Sequence, residues 1–163
     1  MRNGKTIEDQ KKAEALNDEG IRYAQRGDLD KAIELFKAAL RYDPFYAEAH
    51  HNLAFAYYQK NEPFEALRVA ERLARVLSPN STNAHSLLAA IYYELKRLPD
   101  AAREAEMALI WDSNNGEAHY ILARVYFEQK RYSEAKREAQ LAQRLDWYAE
   151  ASELLNAIQR AQW

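Results

Sequence analysis

The sequence predicts an all-α protein made of four helix pairs followed by one further helix. An aromatic doublet recurs at Tyr57-Tyr58, Tyr92-Tyr93 and Tyr126-Phe127, at intervals of 35 and 34 residues. Such self-similarity is the signature of a repeat architecture. Only 4 Gly and 4 Pro punctuate the chain, which is too few for a strand-rich domain with many tight turns.

Four repeats align along their whole length, and their predicted bounds are 13–46, 47–81, 82–115 and 116–148. The eighth position is always small: Gly20, Ala54, Ala89 and Ala123. The eleventh is always tyrosine: Tyr23, Tyr57, Tyr92 and Tyr126. The twentieth is always alanine: Ala32, Ala66, Ala101 and Ala135. Small residues let two helices approach closely, and the tyrosine fills the space between one repeat and the next.

The first helix pair follows from local signals. Thr6-x-x-Asp9 is an Asp variant of the capping box, so the first helix is predicted over 7–25. Gly27-Asp28 ends that helix, and the second is predicted from about Asp30 to Tyr42. The segment 1–12 is therefore a polar extension that is partly helical.

Later boundaries rest on proline and on turn residues. Pro63 and Pro99 open the second helices of repeats two and three, because proline suits the first turn of a helix. The stretches SPNS (78–81) and SNNG (113–116) are turns between repeats. Segment 149–163 carries one apolar stripe and is predicted to be a capping helix, which repeat arrays need at their ends. Its stripe consists of Ala151, Leu154, Leu155 and Ile158.

This pattern resembles the tetratricopeptide repeat (TPR), and the resemblance covers residues 13–148. Repeat one matches best, with the residues Gly20, Tyr23, Ala32, Phe36 and Pro44. The later repeats lack the final proline and the phenylalanine, both common sites of drift. The resemblance implies an α-solenoid wound as a right-handed superhelix, with the first helix of every repeat lining a concave groove.

The resemblance also implies which side chains face that groove. They are Ile21, His51, Phe55, Tyr58, Tyr93, Tyr120, Arg124 and Phe127, with Glu48, Glu94, Glu117 and Glu128 at the acidic edges. The second aromatic of each doublet, at position twelve, is expected to anchor a partner; repeat one has Ala24 there. An apolar floor with acidic edges predicts an apolar or amphipathic ligand flanked by Lys or Arg. The alternative is that the rings pack on each other and only narrow the groove.

Two sharper interpretations fail on the residues. Some TPR proteins hold the C-terminal carboxylate of a chaperone peptide with a clamp of Lys, Asn and Arg, and of those positions only Asn52 matches here. Histidine recurs at position four as His50, His85 and His119. Without a nearby Cys pattern or a partner carboxylate, we expect structural or surface roles for them.

Composition narrows the function. The chain of 163 residues has 23 Lys and Arg against 25 Asp and Glu, so it lacks the basic excess that nucleic acid requires. It has no Cys, no Gly-rich loop and no His-Glu-x-x-His motif, so we expect no enzyme, cofactor or metal. No stretch of about 20 apolar residues predicts membrane insertion.

The expected function is therefore a scaffold or adaptor that binds a protein or peptide, and the expected location is the cytoplasm. A secreted or periplasmic location is the alternative if a signal has been removed. Two other functions stay open at this point: a self-assembling module that forms a homo-oligomer, and an engineered TPR scaffold.

Overall fold

The computed structural model describes residues 6–162, with only the backbone of Tyr148. This span forms nine α-helices and one π-helical turn, and it contains no strand. The helices are α1 (Ile7–Gln25), α2 (Leu29–Tyr42), α3 (Ala47–Gln59), α4 (Pro63–Arg72), α5 (Thr82–Glu94), α6 (Leu98–Trp111), α7 (Gly116–Glu128), α8 (Tyr132–Arg144) and α9 (Tyr148–Ala161). The all-α prediction is confirmed. None of the described helices is both long and apolar enough to cross a bilayer.

The chain divides into two compact units, which we call the N-terminal unit (Met1–Pro79) and the C-terminal unit (Asn80–Trp163). In the N-terminal unit, α1 packs on α2, and α3 packs on both α2 and α4. In the C-terminal unit, α5 pairs with α6 and α7 with α8, and α9 packs on α8. Each unit therefore holds two of the predicted helix pairs.

The helix ends show the local chemistry that the sequence predicts. The Thr6 hydroxyl accepts from the Asp9 amide at 3.0 Å, and the Asp9 carboxylate accepts from the Thr6 amide at 3.2 Å. This reciprocal capping box is confirmed. Helix α2 begins one residue earlier than predicted because Asp28 caps it, accepting from the Lys31 amide at 3.1 Å. Pro63 lies in the first turn of α4, and Pro99 in that of α6.

The small residues of the repeat lie where helices touch. The alanines at positions eight and twenty are fully buried, at 0% exposure: Ala54, Ala89, Ala123, Ala32, Ala66, Ala101 and Ala135. At Gly20, a Cβ atom would lie only 2.6 Å from the ring of Phe36. A larger side chain at these positions would therefore have to displace the residues packed against it.

A π-helical turn over Leu73–Leu77 continues α4, and the sequence reasoning did not predict it. The Ser78 amide donates to the Leu73 carbonyl at 2.8 Å, a bond that spans five residues instead of four. Repeat two is one residue longer than repeat one, and a π-turn accommodates one additional residue within a helix. The 35-residue interval between Tyr57 and Tyr92 therefore has a structural cause.

Candidate functional site

A cleft of about 250 Å³ opens between α1 and α3 of the N-terminal unit. Its lining is mostly apolar, with three side-chain amides. The apolar members are Ile21, Ala24, Phe36, Phe55 and Ala56, and the amides are Gln25, Asn52 and Gln59. We call this feature the α1–α3 cleft.

Two small residues of α1 shape the cleft. Gly20 allows the ring of Phe36, only 1% exposed, to lie directly against α1. Ala24 lines the cleft at position twelve of repeat one, the position that is aromatic in the other three repeats. The cleft is therefore open where this repeat lacks a ring.

A buried hydrogen-bond network connects the cleft to an acidic side chain. Asn17 is fully buried, and its amide nitrogen donates to the Glu48 carboxylate at 3.0 Å. Its carbonyl oxygen accepts from the Asn52 amide nitrogen at 2.9 Å. The Tyr46 hydroxyl also donates to Glu48, at 3.4 Å. Because Asn52 lines the cleft, this network fixes the orientation of one cleft amide.

Negative charge gathers near this network. Burial is the largest cause that raises the pKa of Tyr46 to about 12, and the charges of Glu48, Glu14 and Asp18 contribute to this rise in that order. The side chains of Glu14 and Asp18 are exposed to solvent. Three carboxylates therefore act on the Tyr46 hydroxyl, and their negative charge would favour a positively charged ligand.

Most of the predicted groove residues of the N-terminal unit lie at or near the cleft. Ile21 and Phe55 line it, and Phe55 is 43% exposed. The half-buried ring of Tyr58 stacks on Phe55 with centroids 6.4 Å apart. His51 is half-buried, and burial lowers its pKa, so its imidazole is neutral near pH 7.

The corresponding face of the C-terminal unit is filled by its own side chains. Tyr93 is only 5% exposed. The guanidinium carbon of Arg124 lies 3.8 Å from the Tyr93 ring centroid, and the Tyr93 hydroxyl donates to Glu128 at 3.0 Å. Arg124 also lies 3.5 Å from the Glu94 carboxylate. The Tyr93 ring is therefore covered within the unit, and its contact with a partner stays a prediction.

The other predicted groove residues of this unit also pack internally. Tyr120 stacks on Trp147 with centroids 5.0 Å apart, and Phe127 lies 5.9 Å from Tyr132. Glu117 is half-buried, and burial raises its pKa. Sequence reasoning left Trp147 out of this face. Its signal was Gly116, where a Cβ atom would lie 2.9 Å from the Trp147 ring.

The recurring histidines are buried, and two of them have carboxylate partners that sequence reasoning missed. Nδ1 of His85 lies 2.8 Å from Glu104, and Nδ1 of His119 lies 2.7 Å from Glu138. Both pairs are 19 residues apart and join the two helices of one repeat. His50 has Val69 at the equivalent position. These pairs are shielded from solvent, so they act in the core and not on a ligand.

Family profiles match most of the chain. A "TPR repeat" profile matches residues 20–61, and two "Tetratricopeptide repeat" profiles match residues 52–115 and 116–146. The chain belongs to the tetratricopeptide-repeat family. The two helices per repeat and the buried small residues agree with this assignment.

Curated relatives and solved structures share the repeat. The chain is 32% identical over 101 residues to RNA polymerase II-associated protein 3 of Mus musculus. This match covers 60% of this chain but only 15% of that protein. A thermophilic TPR protein of Thermus thermophilus matches with a TM-score of 0.80 at 20% identity, over 92% of this chain and 82% of its own. The first TPR of Spaghetti (RPAP3), bound to the HSP90 peptide SRMEEVD, matches with a TM-score of 0.71 at 27% identity. This match covers 74% of this chain and 95% of the Spaghetti chain.

Proposed function

We propose that this TPR chain is a non-catalytic interaction scaffold that docks a partner segment on the α1–α3 cleft. The segment is apolar or amphipathic and is flanked by Lys or Arg. One observation carries the proposal: an apolar cleft of about 250 Å³ is linked, through the side chains of Asn52 and Asn17, to the carboxylate of Glu48. A TPR neighbour that holds a peptide supports the general role of a protein-binding scaffold.

The apolar part of the segment supplies affinity. Phe55 remains 43% exposed although it is large and apolar, and it lines the cleft with Ile21. Covering exposed rings removes apolar surface from water at about 25 cal/mol per Å². Anchoring side chains in such pockets dominate the binding energy of most interfaces.

The charged part of the segment supplies selectivity. Glu14 and Asp18 are exposed near the Asn17 network, and Glu48 adds a third carboxylate. An acidic peptide such as the one bound to Spaghetti would face like charge here. We therefore propose a ligand of the opposite sign, since complementary charge speeds encounter and rejects competitors.

The test uses short synthetic probes and the isotopically labelled full chain. The Trp peptide (acetyl-KKWKK-amide) and the acidic peptide (acetyl-EEWEE-amide) are titrated while amide chemical shifts are recorded. We expect the Trp peptide to bind and added salt to weaken it, because salt screens the attraction. The acidic peptide is expected to bind much more weakly. Equal binding of the two peptides would overturn the proposal.

A matched pair of double variants locates the charge effect. Changing Glu14→Gln together with Asp18→Asn should weaken the Trp peptide by about two- to fivefold, as expected for exposed charges near a site. The control double variant, Glu34→Gln with Glu65→Gln, removes the same number of negative charges. These two residues lie on α2 and α4 and do not line the cleft. This control should leave binding unchanged, whereas equal losses in both variants would show that only net charge matters.

A further inference from the structure

The α1–α3 cleft borders Ala24, the position that is aromatic in the other three repeats. At position twelve, Tyr58, Tyr93 and Phe127 follow the repeat, whereas repeat one has Ala24. In the C-terminal unit, the ring at this position packs within the unit: Tyr93 lies under Arg124, and Phe127 lies against Tyr132. Ala24 instead borders an open volume of about 250 Å³.

That volume fits an aromatic side chain. A cavity of about 150 Å³ lined by Leu, Ile and Phe accepts benzene, so this cleft has room for a ring and its linking carbon. Phe36 forms a buried floor and Phe55 a half-exposed wall. Two aromatic rings favour an offset or edge-to-face contact with a third, which adds to the gain from burial alone.

One amide at the cleft favours a ring that can donate a hydrogen bond. Asn52 donates its Nδ2 to Asn17 at 2.9 Å, which directs its Oδ1 away from that bond. Across residues 6–162, this Oδ1 accepts no hydrogen bond. An indole N–H or a phenol O–H could donate to it, whereas a phenylalanine ring has no donor.

We propose that the cleft receives a Trp or Tyr side chain of the partner, which takes the place of the ring that repeat one lacks. This inference rests on the proposed function and names the anchor of the docked segment. The Lys or Arg residues that flank the anchor then lie toward the acidic group of Glu14, Asp18 and Glu48. The anchor and the charge are separate requirements, so they can be tested separately.

The first test fills the cleft from within. Ala24→Tyr introduces the aromatic residue type that the other repeats carry at this position. It should weaken binding of the Trp peptide at least tenfold. Ala15→Tyr is the matched control, because Ala15 is exposed and lies nine residues away on the opposite side of α1. The control should bind the Trp peptide as the unchanged chain does. Undiminished binding by Ala24→Tyr would overturn the anchor.

The second test leaves the protein unchanged and alters the probe. The Ala peptide (acetyl-KKAKK-amide) should bind the unchanged chain about tenfold more weakly than the Trp peptide does. It should also bind the unchanged chain and Ala24→Tyr equally, since it places no ring in the cleft. If the Trp and Ala peptides bind equally while the acidic peptide does not, the aromatic anchor fails and basic-segment docking stands. If neither basic peptide binds, both the proposed function and the aromatic anchor fail.

Discussion

The two units of the chain use the same repeat and treat it differently. The N-terminal unit leaves the cleft between α1 and α3 open, with Phe55 43% exposed. The C-terminal unit covers Tyr93 with Arg124 and stacks Tyr120 on Trp147. The difference shows that a repeat register fixes where a side chain is attached, while neighbouring side chains decide whether it is available to a partner.

The cores of the two units differ in a parallel way. Repeats three and four join their helices through His85–Glu104 and His119–Glu138. At the same two positions repeat one has Leu16 and Leu35, and repeat two has His50 and Val69. The C-terminal unit thus has a polar link where the N-terminal unit is partly or wholly apolar.

The largest expected effect comes from breaking a polar link on one side. Glu104 is 0% exposed and His85 2% exposed, so Glu104→Leu leaves a histidine buried without its carboxylate. We expect a loss of about 4 kcal/mol in the free energy of unfolding, because one member of a buried pair is costly to remove. Urea denaturation monitored by circular dichroism measures it.

Repeat one already contains an apolar pair, Leu16 and Leu35, at the positions of His85 and Glu104. His85→Leu combined with Glu104→Leu reproduces the Leu16 and Leu35 combination of repeat one. Replacing both members of a buried pair by apolar residues is often neutral or stabilising, so the double variant should recover most of the loss. A double variant as unstable as Glu104→Leu alone would refute the equivalence of the two cores.

The second prediction compares rings at position twelve. Tyr93→Ala should destabilise the chain by about 3 kcal/mol, because a buried ring and its contacts with Arg124 are lost. Tyr58→Ala should cost only about 1 kcal/mol, since Tyr58 is half-buried. Urea midpoints of the two variants provide the measurement. Equal losses would remove the distinction between an open and a filled face.

The third prediction concerns the floor of the cleft. Gly20→Ala places a Cβ about 2.6 Å from the Phe36 ring, an overlap that costs about 1–3 kcal/mol. The gain in helix propensity offsets about 1 kcal/mol of this, so a net loss of about 1 kcal/mol is expected. The displaced ring should also weaken the Trp peptide. A more stable variant would show that Phe36 does not lie against α1.

The smallest effects depend on pH and have opposite signs in the two units. In His119, Nδ1 faces Glu138, and Nε2 faces the Ser113 carbonyl at 3.0 Å. Both partners are acceptors, so the imidazolium satisfies both bonds. The Glu138 hydrogen bond raises the pKa of His119, and the His119 hydrogen bond lowers the pKa of Glu138 while nearby Arg137 lowers it further.

The sign for His119 follows from the raised pKa. Its contribution is fully present below the unfolded value of about 6.5 and is lost as pH rises through the folded pKa. Glu138 contributes above its unfolded value of about 4.3 and loses that contribution as pH falls through its lowered folded pKa. The pair should therefore stabilise most between these two unfolded values. His119→Gln should flatten the fall of the urea midpoint that the unchanged chain shows as pH rises above about 6.5.

His50 shows the opposite dependence. Its Nε2 donates to the Pro44 carbonyl at 2.9 Å, while Nδ1 has no hydrogen-bond partner in the described part of the chain. Burial lowers its pKa, so its contribution is present above about 6.5 and is lost as pH falls. His50→Leu should therefore lessen the loss of stability on acidification. A greater loss in this variant would contradict a neutral His50.

Much of the fold could be predicted because it depends on short-range signals. The Thr6 and Asp9 capping box, the prolines and the small residues act within one helix or between adjacent helices. The π-helical turn was missed, although the 35-residue interval pointed to one additional residue. Periodicity alone cannot place that residue in a helix or in a loop, because both absorb it.

The site was less predictable because availability depends on contacts between repeats. The register placed Phe55 and Tyr93 on equivalent helices, but only the structure shows Arg124, 31 residues further on, lying over Tyr93. The carboxylate partners of His85 and His119 were missed because each lies on the next helix, 19 residues further on. The period of a single helix does not relate two residues on different helices. The paired change of Leu16 and Leu35 to His and Glu was the available signal.

The most direct test of the central claim is the map of amide shifts when the Trp peptide is added to the full chain. We predict the largest shifts at the α1–α3 cleft, around Ile21, Ala24 and Phe55, with Tyr93 and Arg124 unchanged. This result would show that binding occurs where the repeat is left open. Largest shifts around Tyr93 and Arg124, or no shifts at the cleft, would contradict the claim.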